Sequence, residues 1–226
     1  MGKKVIKHGN YGVSSMCGSS NVLEELGFEF KTNSEGLNRE LDENNICFIH
    51  APLFHPTMKK IAGTRKNLGV RTLFNSLGPI VNPTQPGYQL TGTYSLELAK
   101  MYQHILNKKR VNFNVVFGMD GYDELTLTNS TRLLGKYDDR ILSADSFNTK
   151  ALYPNEILAG ASVQSAAAII SQILSGKRSP AQNQVIAANV ATALNLYDSE
   201  AELSDLFIES IAFIQSGQGS KHFKFN

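Results

Sequence analysis

Residues 7–28 read KHGNYGVSSMCGSSNVLEELGF, with four serines, four glycines, two asparagines, a lysine and a histidine ahead of and around a short apolar run. Glycine and serine leave backbone N–H groups uncovered. A helix beginning just behind them adds the positive end of its dipole, and together these make a natural seat for a phosphate. Gly18, Ser19 and Ser20 precede such a helix, expected over Asn21–Leu26, with Asn21 and Glu24 at capping-box spacing and Gly27 at its end. Hydroxyls of Ser14, Ser15 and Ser19 add donors, and Lys7 adds a charge. The competing reading is a serine-rich loop that only caps a helix, and composition leaves both open.

The second constellation is FGMDGYDEL, which follows the strand-like VNFNVVF. Ligand sites in open α/β sheets lie beyond the carboxyl ends of strands. Asp120, Asp123 and Glu124 bring three carboxylates there, and Gly121 permits a turn. Carried on a loop, Asp123 and Glu124 can reach one hard cation such as Mg²⁺; the alternative is a solvated acidic turn. The third is HPTMKKIAGTRKNLGVRT, where Arg65 or Arg71 could fork onto a carboxylate, or simply form a basic helix face in water. His55 is a candidate to line a pocket or cap that helix, and His50, His104 and His222 lack metal-ligand spacing. No serine or cysteine has an arranged base, and Cys17 reads as an incidental thiol.

The elements that must hold these residues alternate. Lys3–Lys7 and Ile46–His50 read as strands, with a polar helix from Ser34 towards Asn44 between them. Pro56 suits a helix start and Gly69 its end, and Asn75–Gly87 is a turn-rich loop or hinge. YQLTGT is strand-like. A helix from Ser95 carries Leu98, Met101, Tyr102 and Ile105 on one face, and Val111–Phe117 is the clearest strand. Thr128–Lys136 and Arg140–Leu142 suggest an antiparallel excursion around Tyr137-Asp138-Asp139. After Pro154 the chain is expected to be helical, with an apolar stripe of Val163, Ala166, Ala167, Ile170 and Leu174 closed by Gly176. Further helices are expected over Pro180–Ala193 and from Leu203 to Ile214, the last ended by Gly217. The alternation predicts an α/β fold, a mostly parallel sheet flanked by helices.

The totals narrow the function classes. With 226 residues, 42% hydrophobic and 19% charged, the chain can build a core without staples. A net charge of +2 argues against a nucleic-acid partner, so an anion site must be local. No run is long enough to span a bilayer. The two cysteines, with no leader ahead of them, read as reduced thiols in the cytoplasm. The first motif begins within a few residues of Met1, with no room for an opening helix.

Taken in order, KHGNYGVSS, GSSNVLEELG, HPTMKKIAGTRKNLGVRTLFNSLGPIVNP and GMDGYDEL resemble the anthranilate phosphoribosyltransferases, with similarity running from about Lys7 to the last helices. The resemblance implies transfer of phosphoribose from 5-phosphoribosyl diphosphate (PRPP) to the amino group of anthranilate, with loss of pyrophosphate, in tryptophan biosynthesis. It implies PRPP contacts from Lys7, His8, Gly9, Asn10, Tyr11, Gly12, Val13, Ser14, Ser15 and Ser19. It implies anthranilate contacts from Asn10 and Arg65, Mg²⁺ held by Asp123 and Glu124, and no covalent or acid–base residue. Gly78 and Pro79 fall in the hinge near the acceptor. The family fold implies that residues 1–226 are the large α/β domain of the nucleoside phosphorylase and phosphoribosyltransferase type. Residues 52–83 would be a hinge belonging to a small helical domain, most of which the chain lacks. Family members usually dimerise through that helical domain. The family's upstream Gly-Thr-Gly-Gly-Asp loop is absent, so the chain reads as the C-terminal two-thirds. Tyr11, Met16 and Asn21 replace a usual Arg, basic residue and Asp. A pyrimidine nucleoside phosphorylase-like enzyme and a non-catalytic binding paralogue are the alternatives.

Overall fold

The computed structural model describes residues 1–10, 17–55 and 76–221. The chain divides into two compact units. One comprises Met1–Pro83, Ala159–Ser171 and Gly219–Asn226; the other comprises Thr84–Leu158 and Gln172–Gln218.

In the first unit, strands β1 (Val5–Gly9) and β2 (Ile46–His50) pair in parallel, from Val5 opposite Ile46 to Gly9 opposite His50. Helices Ser19–Glu25 and Ser34–Asn44 make the crossover that a parallel pair requires. The first strand therefore runs two residues later than the Lys3–Lys7 expected from composition. Its partner decides this: Asn45 turns left-handed at φ 59°, and its carbonyl takes the Val5 N–H at 2.8 Å, so the ladder can open only there. Asn33 caps the second helix by accepting the Gly36 N–H at 2.8 Å. Leu37, Cys47 and Ile49 form the core, joined by Ile6, Leu41 and Phe54. Burial pushes the Cys47 thiol up to about 11, and nearby Glu40 adds to the effect.

The second unit is built on a four-stranded sheet in the order β3 (Tyr88–Gly92), β4 (Asn112–Gly118), β5 (Thr131–Gly135) and β6 (Asp139–Leu142). β3 and β4 are parallel, crossed by helix Leu96–Leu106, whose Ser95 cap accepts the Leu98 N–H at 3.2 Å. β5 and β6 are antiparallel additions. They extend the sheet instead of standing apart from it, so antiparallel pairings here outnumber the parallel one. Val116, Leu125, Leu127, Leu133, Leu142 and Phe147 form the main core with Ala187, Ala188, Ala191 and Phe207 from two helices.

Those helices are Pro180–Tyr197 and Leu203–Gln215. The former runs four residues beyond Ala193. Its buried face includes Thr192 and Asn195, whose polar groups are satisfied: Thr192 donates to the Ala188 carbonyl at 2.8 Å, and Asn195 to that of Ala201 at 2.9 Å. A polar buried face hides the period that marks a helix. The chain after Pro154 makes only a short 3₁₀ turn, Pro154–Glu156, and helix Val163–Leu174 begins later. Ser162 and Ser165 set that start through reciprocal bonds between each side chain and the other's N–H, at 3.2 and 2.9 Å. Of its apolar stripe only Ala167 is fully buried.

Candidate active site

Lys7 and Gly9 at the end of β1 share one small depression with Ser19 and Ser20, closed below by Leu23, Phe30, Phe48 and Ile49. A side chain on Gly9 would stand 3.6 Å from Ser19 Oγ, so the strand end and the helix start are in contact. The helix opens at Ser19 and not at Asn21. Gly18 is its cap, and Asn21, in the first turn, reaches back to accept the Gly18 N–H at 3.1 Å. The asparagine is thus the box partner, which places Ser19 and Ser20 in the first turn. Asn10 is exposed just past the strand. Tyr11, Gly12, Val13, Ser14, Ser15 and Met16 lie outside the described residues, as do Arg65 and the expected Pro56–Gly69 helix.

Three histidines of this unit have side-chain partners: His8, assigned to PRPP by the resemblance, His55, expected to line a pocket or cap a helix, and His50, given no role. His8 Nδ1 lies 3.2 Å from the Gly78 carbonyl, and its Nε2 lies 3.1 Å from His55 Nε2. Burial chiefly, then His55, hold His8 below the ordinary imidazole range, while the Gly78 carbonyl pulls the other way. His50, at the end of β2, is buried, 3.3 Å from Ser20 Oγ, with the Phe30 ring stacked on it at 4.7 Å. Burial lowers its proton affinity and Glu24 partly restores it. The only sequence signal for these pairings was the presence of histidine at the two strand ends; the partners are about 30 to 70 positions away.

In the second unit, the turn beyond β4 carries the acidic constellation. The Gly118 N–H donates to Tyr122 O and the Gly121 N–H to Gly118 O, both at 2.9 Å, with Gly121 at φ +91°. Asp120 is occupied inside the turn, accepting Thr128 Oγ1 at 2.6 Å and Thr126 Oγ1 at 3.2 Å. It is therefore a scaffold for the turn through these two hydroxyls; Asp120, Asp123 and Glu124 are all exposed. Among the described residues no three His, Cys, Asp or Glu side chains cluster as a metal site. Two features pin the acidic pair. Gly92, ending β3, lies so close to Asp123 O that a Cβ would come within 1.7 Å of it. Asn189 clamps the next residue, Leu125, accepting its N–H at 3.1 Å and donating to its carbonyl at 2.7 Å. Neither Gly92 nor Asn189 was marked by sequence reasoning; a glycine at a strand end before the turn is the one visible hint.

The sequence matches the family described as glycosyl transferase family, a/b domain, over residues 1–220. The chain belongs to this family. Within it, the chain is 45% identical over 227 residues to the anthranilate phosphoribosyltransferase of Christiangramia forsetii, covering 99% of this chain and 67% of that protein. It is 40% identical over 223 residues to the enzyme of Cytophaga hutchinsonii, covering 99% and 68%. Among solved structures, the anthranilate phosphoribosyltransferase of Saccharomyces cerevisiae in complex with PRPP and Mg superposes with a TM-score of 0.89 at 25% identity, covering 97% of this chain and 62% of that one. The Thermus thermophilus enzyme gives 0.88 at 29% identity, covering 98% and 67%. The chain therefore spans about two-thirds, or somewhat less, of the length of these family members.

Proposed function

We propose that this family member carries the diphosphate-binding portion of an anthranilate phosphoribosyltransferase, which moves phosphoribose from PRPP to the anthranilate amino group and releases pyrophosphate. The observation that carries the reading is the contact between Gly9 and Ser19, which sets a lysine-bearing strand end against a serine-bearing helix start in one depression. Lys7 and Ser19 there offer a cation and a hydroxyl to an anion, and the side-chain-free Gly9 keeps the strand backbone open to it. Tyr11, Gly12, Val13, Ser14 and Ser15 are assigned to the same ligand from the motif. Asn10 and Arg65 are assigned to anthranilate, Arg65 through a bidentate grip on its carboxylate.

The exposed carboxylates of Asp123 and Glu124, on a loop and made of hard oxygens, suit Mg²⁺. These two residues would hold the ion, which would supply positive charge to neutralise a departing pyrophosphate. Gly92 and Asn189 keep that pair in place. Charge growing at the ribose C1 needs little covalent help, and an aromatic amine is already neutral near pH 7, so the residues act by positioning and by stabilising the leaving group. Cys17 and Cys47, neither of them in a disulfide, accord with a cytoplasmic setting. Residues 52–83 serve as the hinge to a helical domain, the element through which a homodimer would form.

The test is calorimetric titration of the chain with Mg²⁺–PRPP, then with anthranilate. Binding of Mg²⁺–PRPP that is lost in Lys7→Ala and in the Asp123→Asn, Glu124→Gln double variant supports the reading. No binding by the chain, together with no phosphoribosylanthranilate from a full-length version, refutes it. Phosphorolysis of thymidine or uridine by the full-length version would instead point to a nucleoside phosphorylase.

A further inference from the structure

The contact between His8 and His55 constrains where protons sit. A carbonyl oxygen only accepts, so His8 Nδ1, 3.2 Å from Gly78 O, carries a hydrogen. In the neutral ring Nε2 is then a bare acceptor. The hydrogen in the 3.1 Å contact between the two Nε2 atoms therefore belongs to His55. The rings meet edge to face, 5.2 Å between centroids and 69° between planes, which lets one N–H point at the other ring's lone pair. The result is a directed chain: His55 donates to His8, and His8 donates to Gly78. It joins the helix Ala51–Phe54 end, the carboxyl end of β1, and the 3₁₀ turn Gly78–Ile80.

We propose that His55 is a positioning residue: by donating to His8 it fixes the Nδ1–H tautomer, and so fastens the Lys7–Asn10 stretch to the Gly78 turn. The consequence for ligand binding rests on the proposed diphosphate role of that stretch; the tautomer assignment does not. The His55-to-His8 bond ends in acid, because a protonated His8 carries a hydrogen on Nε2 and can no longer accept there. Among the described residues, His55 and, on its own strand, Lys7 oppose a charge on the ring, and the Gly78 carbonyl favours one. Since His8 is held below the ordinary imidazole value, the folded arrangement takes up fewer protons than free rings would. Donation from His55 is complete above about pH 6.5 and is lost as pH falls through the lowered value, while the Nδ1–H bond to Gly78 survives protonation.

The experiment is long-range ¹⁵N–¹H NMR of the histidines in the whole chain from pH 5 to pH 8, beside binding of inorganic pyrophosphate with Mg²⁺ over the same range. At pH 7.5 His8 is expected as the Nδ1–H tautomer. His55→Phe should mix the tautomers, move the His8 titration midpoint up towards the free value and weaken pyrophosphate several-fold. His55→Gln, whose amide can donate in place of the imidazole, should restore both. An Nε2–H tautomer of His8, or a His8 spectrum and titration unchanged in His55→Phe, overturns the proposal. If the tautomer and its dependence on His55 appear but pyrophosphate does not bind, the positioning role stands and the diphosphate reading falls.

Discussion

At the scale of single residues, the acidic loop depends on two groups that carry no charge. A methyl on Gly92 would overlap Asp123 O, and backbone cannot swing aside as a long side chain can. Gly92→Ala is expected to cost about 1–3 kcal/mol and to weaken Mg²⁺-dependent pyrophosphate binding, read by urea unfolding and calorimetry. Asn189→Ala strips Leu125 of both partners of its backbone amide unit. Its expected cost is also about 1–3 kcal/mol, with the Mg²⁺ requirement raised and binding of Mg²⁺-free anions unchanged. The two thiols should separate cleanly. Cys47 is 2% exposed and pushed up to about 11, so at pH 8 it remains a protected thiol. Half-exposed Cys17 is expected to alkylate first, and peptide mass mapping after brief iodoacetamide treatment checks the order.

At the scale of elements, caps and left-handed residues decide where helices stop and strands begin. Asn33 alone satisfies the Gly36 amide at the start of helix Ser34–Asn44 with its side chain. Asn33→Ala is expected to cost about 1 kcal/mol, and hydrogen exchange should rise in the first turn of that helix before elsewhere. Asn45 sits at φ 59° and offers its carbonyl to Val5. Asn45→Gly preserves the conformation and should change stability by only a few tenths of a kcal/mol, whereas a β-branched residue there should delay or shift the β1–β2 ladder. The crossovers Val5–His50 and Tyr88–Gly118 follow one rule: a parallel strand pair needs a helix to return the chain.

At the scale of the whole molecule, each compact unit has its own apolar cluster, one around Leu37, Cys47 and Ile49 and one around Leu133 and Phe147. Leu133 is 0% exposed, and Leu133→Ala is expected to cost about 2–5 kcal/mol. Hydrogen exchange should show the loss in the sheet β3–β6 and its two helices. Leu37→Ala, in the smaller cluster, is expected to act on β1, β2 and helix Ser34–Asn44. Among the described residues no helix is long and apolar enough to cross a membrane. With a net charge of +2, the chain is expected to show no salt-sensitive nucleic-acid binding at physiological ionic strength.

What residue order alone could determine was local or carried by contiguous motifs. Ile46–His50 is apolar and β-branched over a strand's length, and it forms one. Gly27, Gly121, Gly176 and Gly217 all take the positive φ that their places after helices or in a turn demanded. The four ordered motifs pointed to the family that the comparisons then returned. What only the tertiary structure decided depends on partners distant in the chain: the two-residue offset of β1, the His55–His8–Gly78 chain, and the clamp of Asn189 on Leu125. Hydrogen bonds and close backbone approaches act over about 3 Å in space and are indifferent to sequence separation. A side chain whose partner lies 64 positions away, as Asn189 does from Leu125, leaves no periodic trace for the sequence to display.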